Sequence, residues 1–287
     1  MTDPPLLSVT VALAAAWRGV VLVNWLQDVF PETAMRAGVR FANGPLGACC
    51  RWMRDWTLRR AGANVVLGER MAQEVVRAVP DARIAVIPNW GDGQAVVPQA
   101  PREATDFVVG YSGNLGRVHD VETILDAARR LAVEPALRFR FTGGGFHIER
   151  VRRSGLANVA VRDYVPEEEL PASLAACDVH LVSLLPAFEG LVVPSKFYAI
   201  AAAARPVVFI GERQGELARL IDRHGLGIAV ASGDGAGLAA ALLRLRDRPG
   251  ERRAMGERAR AVFEREWDEP AALARWRALL LSLEAAR

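Results

Sequence analysis

The stretch "FVVGYSGNLGRVHDVETILDAARRLAVEPALRFRFTGGG", residues 107–145, decides how this chain folds. It opens on a β-branched and aromatic run that ends in glycine (107–113). It then passes through a segment whose apolar residues return every three or four positions, and closes on a second such run, "FRFTGGG" (139–145). Two short strands joined by a helical crossover read as parallel neighbours in one sheet. The same unit repeats outward. Downstream, residues 158–165, 178–184, 206–211 and 227–231 predict four more strands, and upstream 20–26, 64–68 and 83–88 predict three, with helical patterns between nearly all of them. That alternation predicts an α/β protein with two doubly wound parallel sheets, helices on both faces.

The boundaries follow from the spacing. Residues 1–92 read as a partial N-terminal domain and the polar, Pro- and Gly-bearing stretch 93–106 as a linker. Residues 107–265 read as a whole second domain, and 266–287 as a closing helix that packs back on the first. Three strands are half of a doubly wound sheet. Such a half leaves an open edge and bare apolar faces, which predicts an oligomer or a further polypeptide completing it.

Composition narrows the class. With 51% hydrophobic and 24% charged residues over 287 positions, the chain reads as globular, with material for one large or two ordinary cores. A net charge of only +3 gives no reason to expect nucleic acid as a partner. The three cysteines, Cys49, Cys50 and Cys177, have neither CxxC nor zinc spacing, so a reducing cytoplasm is the expected setting. The apolar opening "LLSVTVALAAAW" follows Asp3 and no basic residue, unlike a secretion signal.

In open α/β sheets ligands bind beyond the carboxyl ends of the strands. The first strand of the second domain is followed by "SGNLGRVHD", with Gly113, Asn114, Gly116, Arg117 and His119, and the second by Gly143, Gly144 and Gly145. Tyr164 lies near the end of the third, and the fourth opens into "LLPAFEGLVVPSK", with Glu189, Ser195 and Lys196. Glycines let backbone N–H groups approach phosphate oxygens; Arg117, His119 and Lys196 offer positive charge, and Glu189 a carboxylate for sugar hydroxyls. Lys196 is singular, because the other 35 of the 36 basic residues are arginine. Plainer readings stand beside these. Gly143–Gly145 also suit a tight turn, His147, His180 and His224 read as structural, and Trp52 and Trp56, at i and i+4, read as core.

The ordered run of "YSGNLGRVHDVETILDAARRL", "FTGGG", "NVAVRDYVPEEELPASLAACDVHLVSL" and "EGLVVPSKFYAIAAAARPVV" resembles the donor-binding domain of family 4 retaining glycosyltransferases of GT-B architecture. The capsule, O-antigen and colanic-acid type is the most similar. "NWLQDVFPETAMRAGV" and "ARIAVIPNWGD" resemble the second half of that family's acceptor domain. The resemblance implies transfer of a sugar, with anomeric retention, from a nucleotide-diphosphate donor to a glycan or lipid-linked acceptor, at the inner face of the cytoplasmic membrane. It implies no metal and no cofactor, the nucleotide sugar being a substrate.

The departures are specific. Asn114 and His119 stand where the family grips the diphosphate with arginine and lysine, which leaves Lys196 as the best point charge for the leaving group. Glu189 matches the first glutamate of the family's E-x7-E, while the second falls at Ala199; Gln27 and Asp28 replace its acceptor-side His-Asp and are the candidates for positioning sugar or acceptor. The family's opening strand and glycine loop have no counterpart here. An alternative is therefore a truncated nucleotide-sugar-binding module that needs a partner chain; a sugar-nucleotide 2-epimerase is a more distant one, disfavoured by the scarcity of histidine.

Overall fold

The structure is a computed structural model that describes residues 6–100 and 105–285. All nine expected strands form: β1 (Val23–Trp25), β2 (Ala63–Val66), β3 (Ile84–Val86), β4 (Phe107–Ser112), β5 (Leu137–Thr142), β6 (Val159–Arg162), β7 (Val179–Ser183), β8 (Val207–Gly211) and β9 (Gly227–Ala231). They build two parallel sheets, one of three strands in the order β1-β2-β3 and one of six in the order β6-β5-β4-β7-β8-β9. By their contacts the chain divides into two compact units. One holds the residues up to Asn89 with Ala187–Val193 and those from Ala272 onward, and the other holds Trp90–Pro186 and Pro194–Ala271. Residues 187–193, read from the sequence as part of the second domain, thus group with the first sheet.

In the first unit β2 is central and buried along its whole length. Asn24 on β1 and Asn64 on β2, paired in register, are both buried, and the Asn24 side-chain amide donates to the Asn64 side-chain oxygen at 2.9 Å. The Pro45–Arg60 helix buries Gly47, Cys50, Arg54, Thr57 and Leu58. Trp52 sits off that stripe and is 66% exposed, contrary to the expectation that it is core; Trp56 is half-buried, with the Arg60 guanidinium 4.8 Å from its ring centre. Trp276 of the closing helix Glu269–Ala285 stands edge-on to Trp25, ring centres 5.3 Å apart.

The second unit follows the doubly wound scheme. β4, β7 and β8 are buried almost residue by residue, which is why they read in sequence as unbroken apolar runs. The edge strand β6 alternates between half-buried and exposed. Helices cover the faces: Val121–Arg130 packs six residues into the core and is capped by Asp120, whose carboxylate accepts from Thr123 N–H at 3.0 Å. The strand order reverses between β4 and β7, and the carboxyl ends of those two strands are where such a sheet opens a crevice. Among the described residues no helix is long and apolar enough to cross a membrane.

Candidate functional site

Main-chain hydrogen bonds fasten the loops after β4 and β5 to each other. Gly113 N–H donates to Thr142 O at 2.8 Å, Leu115 N–H to Gly144 O at 2.7 Å and His147 N–H to Leu115 O at 3.0 Å; Gly143 N–H reaches Arg162 O, at the end of β6, at 2.9 Å. A fourth strand end joins through Leu185 N–H, which donates to Val118 O at 2.8 Å. The glycines are obligatory. Gly143 has φ +132°, and a Cβ there would lie 2.4 Å from Gly113 O; Gly145 has φ +116°, and its Cβ would lie 2.2 Å from the Asn114 side-chain oxygen. Gly113 itself has φ +99°. Tyr164, mostly exposed, stands against Gly144, where a Cβ would approach its ring to 3.0 Å.

Lys196 reaches into this loop cluster. Its ammonium donates to the Tyr111 hydroxyl at 2.5 Å and to Asn114 O at 3.2 Å, and sits 3.9 Å from the centre of the Tyr111 ring. Tyr111 is buried near the end of β4, stacked on Phe141. Burial pushes the lysine pKa down to about 7, and burial first, then the nearby Tyr164, holds the Tyr111 hydroxyl well above its ordinary value. Among the described residues no carboxylate forms an ion pair with Lys196. Arg117 is similar: it is exposed, its guanidinium lies 3.6 Å from the centre of the Phe146 ring, and among the described residues it has no acidic partner.

His119 does not supply the positive charge expected of it. The ring is buried, its Nδ1 donates to Ser183 O at 2.5 Å, and burial, reinforced by Lys196, lowers its pKa to about 4. At neutral pH it is an uncharged tie between the β4 loop and the end of β7. Of the other candidates, Asn114 and Ser195 are exposed on the same loops. His180 is fully buried and bonds Leu174 O through Nε2 at 2.9 Å, a core residue. Gly113, Asn114, Arg117, His119, Gly143, Gly144, Tyr164, Ser195 and Lys196 all belong to the second unit.

Gln27, Asp28 and Glu189 belong to the first unit. Gln27 and Asn89 exchange side-chain amide hydrogen bonds at 3.4 and 3.2 Å. Asp28 is exposed and forms an antiparallel bridge to Val192, so the segment carrying Glu189 is fastened beside it. The adjoining Gly190, at φ +76°, lies so close to the Glu69–Ala78 helix that a Cβ would meet Glu74 Cγ at 2.8 Å. Sequence reasoning missed Tyr111 and Phe146. The signal for Tyr111 was a polar-tipped residue near the end of a buried strand; for Phe146 it was an aromatic directly after three glycines.

Comparison with known proteins shows what this rim is similar to. Residues 106–248 match the family described as glycosyl transferases group 1. That match makes up just under half of the chain and takes in the loops after β4, β5, β6 and β7. A Pseudomonas aeruginosa protein described as a glycosyltransferase, WbjE, is 34% identical over 241 residues, 79% of this chain and 60% of its own length. WcaI of Escherichia coli K12, described for colanic acid biosynthesis, is 29% identical over 175 residues, 56% of this chain and 42% of its own. The chain therefore spans between two and three fifths of the length of these relatives. Among solved structures, Anabaena Alr3699/HepE in complex with UDP-glucose superposes with a TM-score of 0.72 at 18% identity, covering 97% of this chain and 76% of that one. The parallel α/β fold is thus shared with GT-B glycosyltransferase structures.

Proposed function

We propose that the rim of the six-stranded sheet holds the pyrophosphate of a nucleotide-diphosphate sugar, and that the protein moves that sugar to an acceptor hydroxyl, with retention, in surface polysaccharide synthesis. One observation carries this reading. Lys196 is a desolvated ammonium with no acidic partner among the described residues, set among glycine loops whose backbone suits phosphate oxygens. An anion arriving there supplies the missing countercharge, and the same ammonium opposes the negative charge that develops as the nucleotide leaves. Arg117, braced on Phe146, offers a second positive group, and the exposed Asn114, Tyr164 and Ser195 offer hydrogen bonds to nucleoside or sugar. Gln27, Asp28 and Glu189 are the candidates for acceptor and sugar positioning. The names of WbjE and WcaI and the UDP-glucose complex support the chemical class.

The acceptor is a glycan or a lipid-linked glycan, and contact with the inner face of the cytoplasmic membrane agrees with the first helix, Leu7–Arg18, where Leu13 and the 84%-exposed Trp17 stand outside the core beside Arg18. Titration calorimetry with UDP and GDP tests the reading at its centre. Lys196→Ala lowers nucleotide-diphosphate affinity by ~1–3 kcal/mol, the range of a lost charge-assisted hydrogen bond. Equal affinity of the folded variant and the parent for both nucleotides refutes the assignment.

A further inference from the structure

The opposite end of the six-stranded sheet holds a cavity. A cleft of about 410 Å³ lies at the amino ends of β7 and β8, walled by Asp178 just before β7, Arg205 before β8, and Arg252, Arg253 and Glu257 on the Pro249–Val262 helix. The volume is in the range that holds a small ligand. The donor rim described above is at the carboxyl ends of the same strands, so the two sites are distinct.

Arg205 is the anomaly in this cleft. It is only 9% exposed, and its guanidinium is held by main-chain carbonyls alone, Nη2 donating to Ala175 O at 3.1 Å and Gln99 O at 3.2 Å. Its Nε is buried without a partner, and among the described residues no carboxylate forms an ion pair with it. Asp178 in the same wall acts on the guanidinium as a countercharge from beyond ion-pair distance; a buried charge paired only at that range is costly, and an anion in the cleft supplies a direct partner. The backbone is committed to the arrangement too. Ala204 takes φ +54°, unfavourable for a residue with a Cβ, and its carbonyl packs where Gly256 leaves room, since a Cβ on Gly256 would lie 2.2 Å from that oxygen.

The remaining wall suits a particular anion. Pro249 begins a 14-residue helix at the cleft, which brings the positive end of its dipole to the same wall. Arg253 is exposed at the mouth and has no partner among the described residues. Asp178 is occupied by Val108 N–H at 2.8 Å and by Arg252 at 3.4 Å. Glu257, also exposed, has no partner among the described residues, and its carboxylate repels a bare anion while accepting hydrogen bonds from hydroxyl groups. We propose that this cleft is a second ligand site, one that takes a small phosphomonoester of a polyol, its phosphate on Arg205 and Arg253 and a hydroxyl on Glu257.

Titration calorimetry of the full chain with glycerol 3-phosphate tests this, with glycerol as the neutral control. The expected result is saturable binding with a Kd of about 1 mM or tighter, no heat from glycerol, and at least about tenfold weaker binding to Arg253→Glu, a surface change that leaves the fold intact. Lys196→Met, which removes the cation of the donor rim, is expected to bind the probe as the parent does. Absence of saturable binding overturns the proposal, as does unchanged affinity in Arg253→Glu. Loss of binding in Lys196→Met also overturns it, by assigning the phosphate to the other end of the sheet.

Discussion

The two ends of the six-stranded sheet carry positive charge in opposite ways. At the carboxyl end the floor is main chain, with glycines at φ values that only glycine accepts readily, and the charges are one lysine and one arginine without acidic partners among the described residues. At the amino end Arg205 and Arg252 are tied to carbonyls, with Arg252 3.4 Å from Asp178, and Arg253 stands exposed at the mouth. The lesson concerns what fixes a binding surface. One end is shaped by backbone conformation and keeps a titratable ammonium; the other is shaped by planar guanidinium groups that stay charged at any working pH. The two respond differently to substitution and to pH.

The largest contrast is expected at Gly143. Gly143→Val forces a β-branched residue into φ +132° with its Cβ on Gly113 O, so we expect a loss of roughly 2–4 kcal/mol of stability and no measurable nucleotide binding. Thermal unfolding with parallel calorimetry measures both. A variant that melts with the parent would mean that the loop interlock is not what shapes this end.

An intermediate effect is expected from pH. Lys196 in the empty site has a pKa lowered to about 7, and a bound diphosphate favours the charged form and raises it. Nucleotide binding therefore takes up protons near neutrality, and affinity falls as pH rises from about 7 toward the pKa of the bound state. Calorimetry in buffers of different ionisation enthalpy reads this uptake, and in Lys196→Met it disappears. Stability has the opposite sign. Because the folded state disfavours the charged lysine relative to the unfolded chain, the cost is fully present below pH 7 and fades toward the ordinary lysine value of 10.5. Ligand-free Lys196→Met is accordingly expected to melt above the parent at pH 6, with the gap narrowing toward pH 10.

The smallest effect is expected from Arg117→Gln. The guanidinium is exposed and braced by one aromatic face, so its removal costs about 0.5–1 kcal/mol of nucleotide affinity and leaves melting unchanged. A loss equal to that of Lys196→Ala would make arginine, not lysine, the principal cation.

What the sequence disclosed follows the range of the interactions involved. β-branched runs and glycine-ended strands are local, so every strand is legible in the sequence, and the carboxyl-end rule gathers Gly113, Gly143, Tyr164 and Lys196 from the sequence alone. The state of His119 was not legible, because its burial depends on the Ser183 carbonyl, 64 residues away. Nor was the exposure of Trp52, since i, i+4 spacing names a face of a helix without saying which face is covered. The amino-end cleft was invisible for the same reason. Residues 178 and 205 precede β7 and β8 and residue 252 lies on a later helix, so they share no motif, and only the fold brings them together.

The backbone zipper between the β4 and β5 loops has an evolutionary consequence. Since peptide groups join Gly113 to Thr142, Leu115 to Gly144 and His147 to Leu115, the side chains of Asn114 and Arg117 can be exchanged without disturbing the mould beneath them. On the proposed reading, a scaffold of this kind can drift from one ligand to another by surface changes at a few tips, while the glycines and the single lysine stay in place.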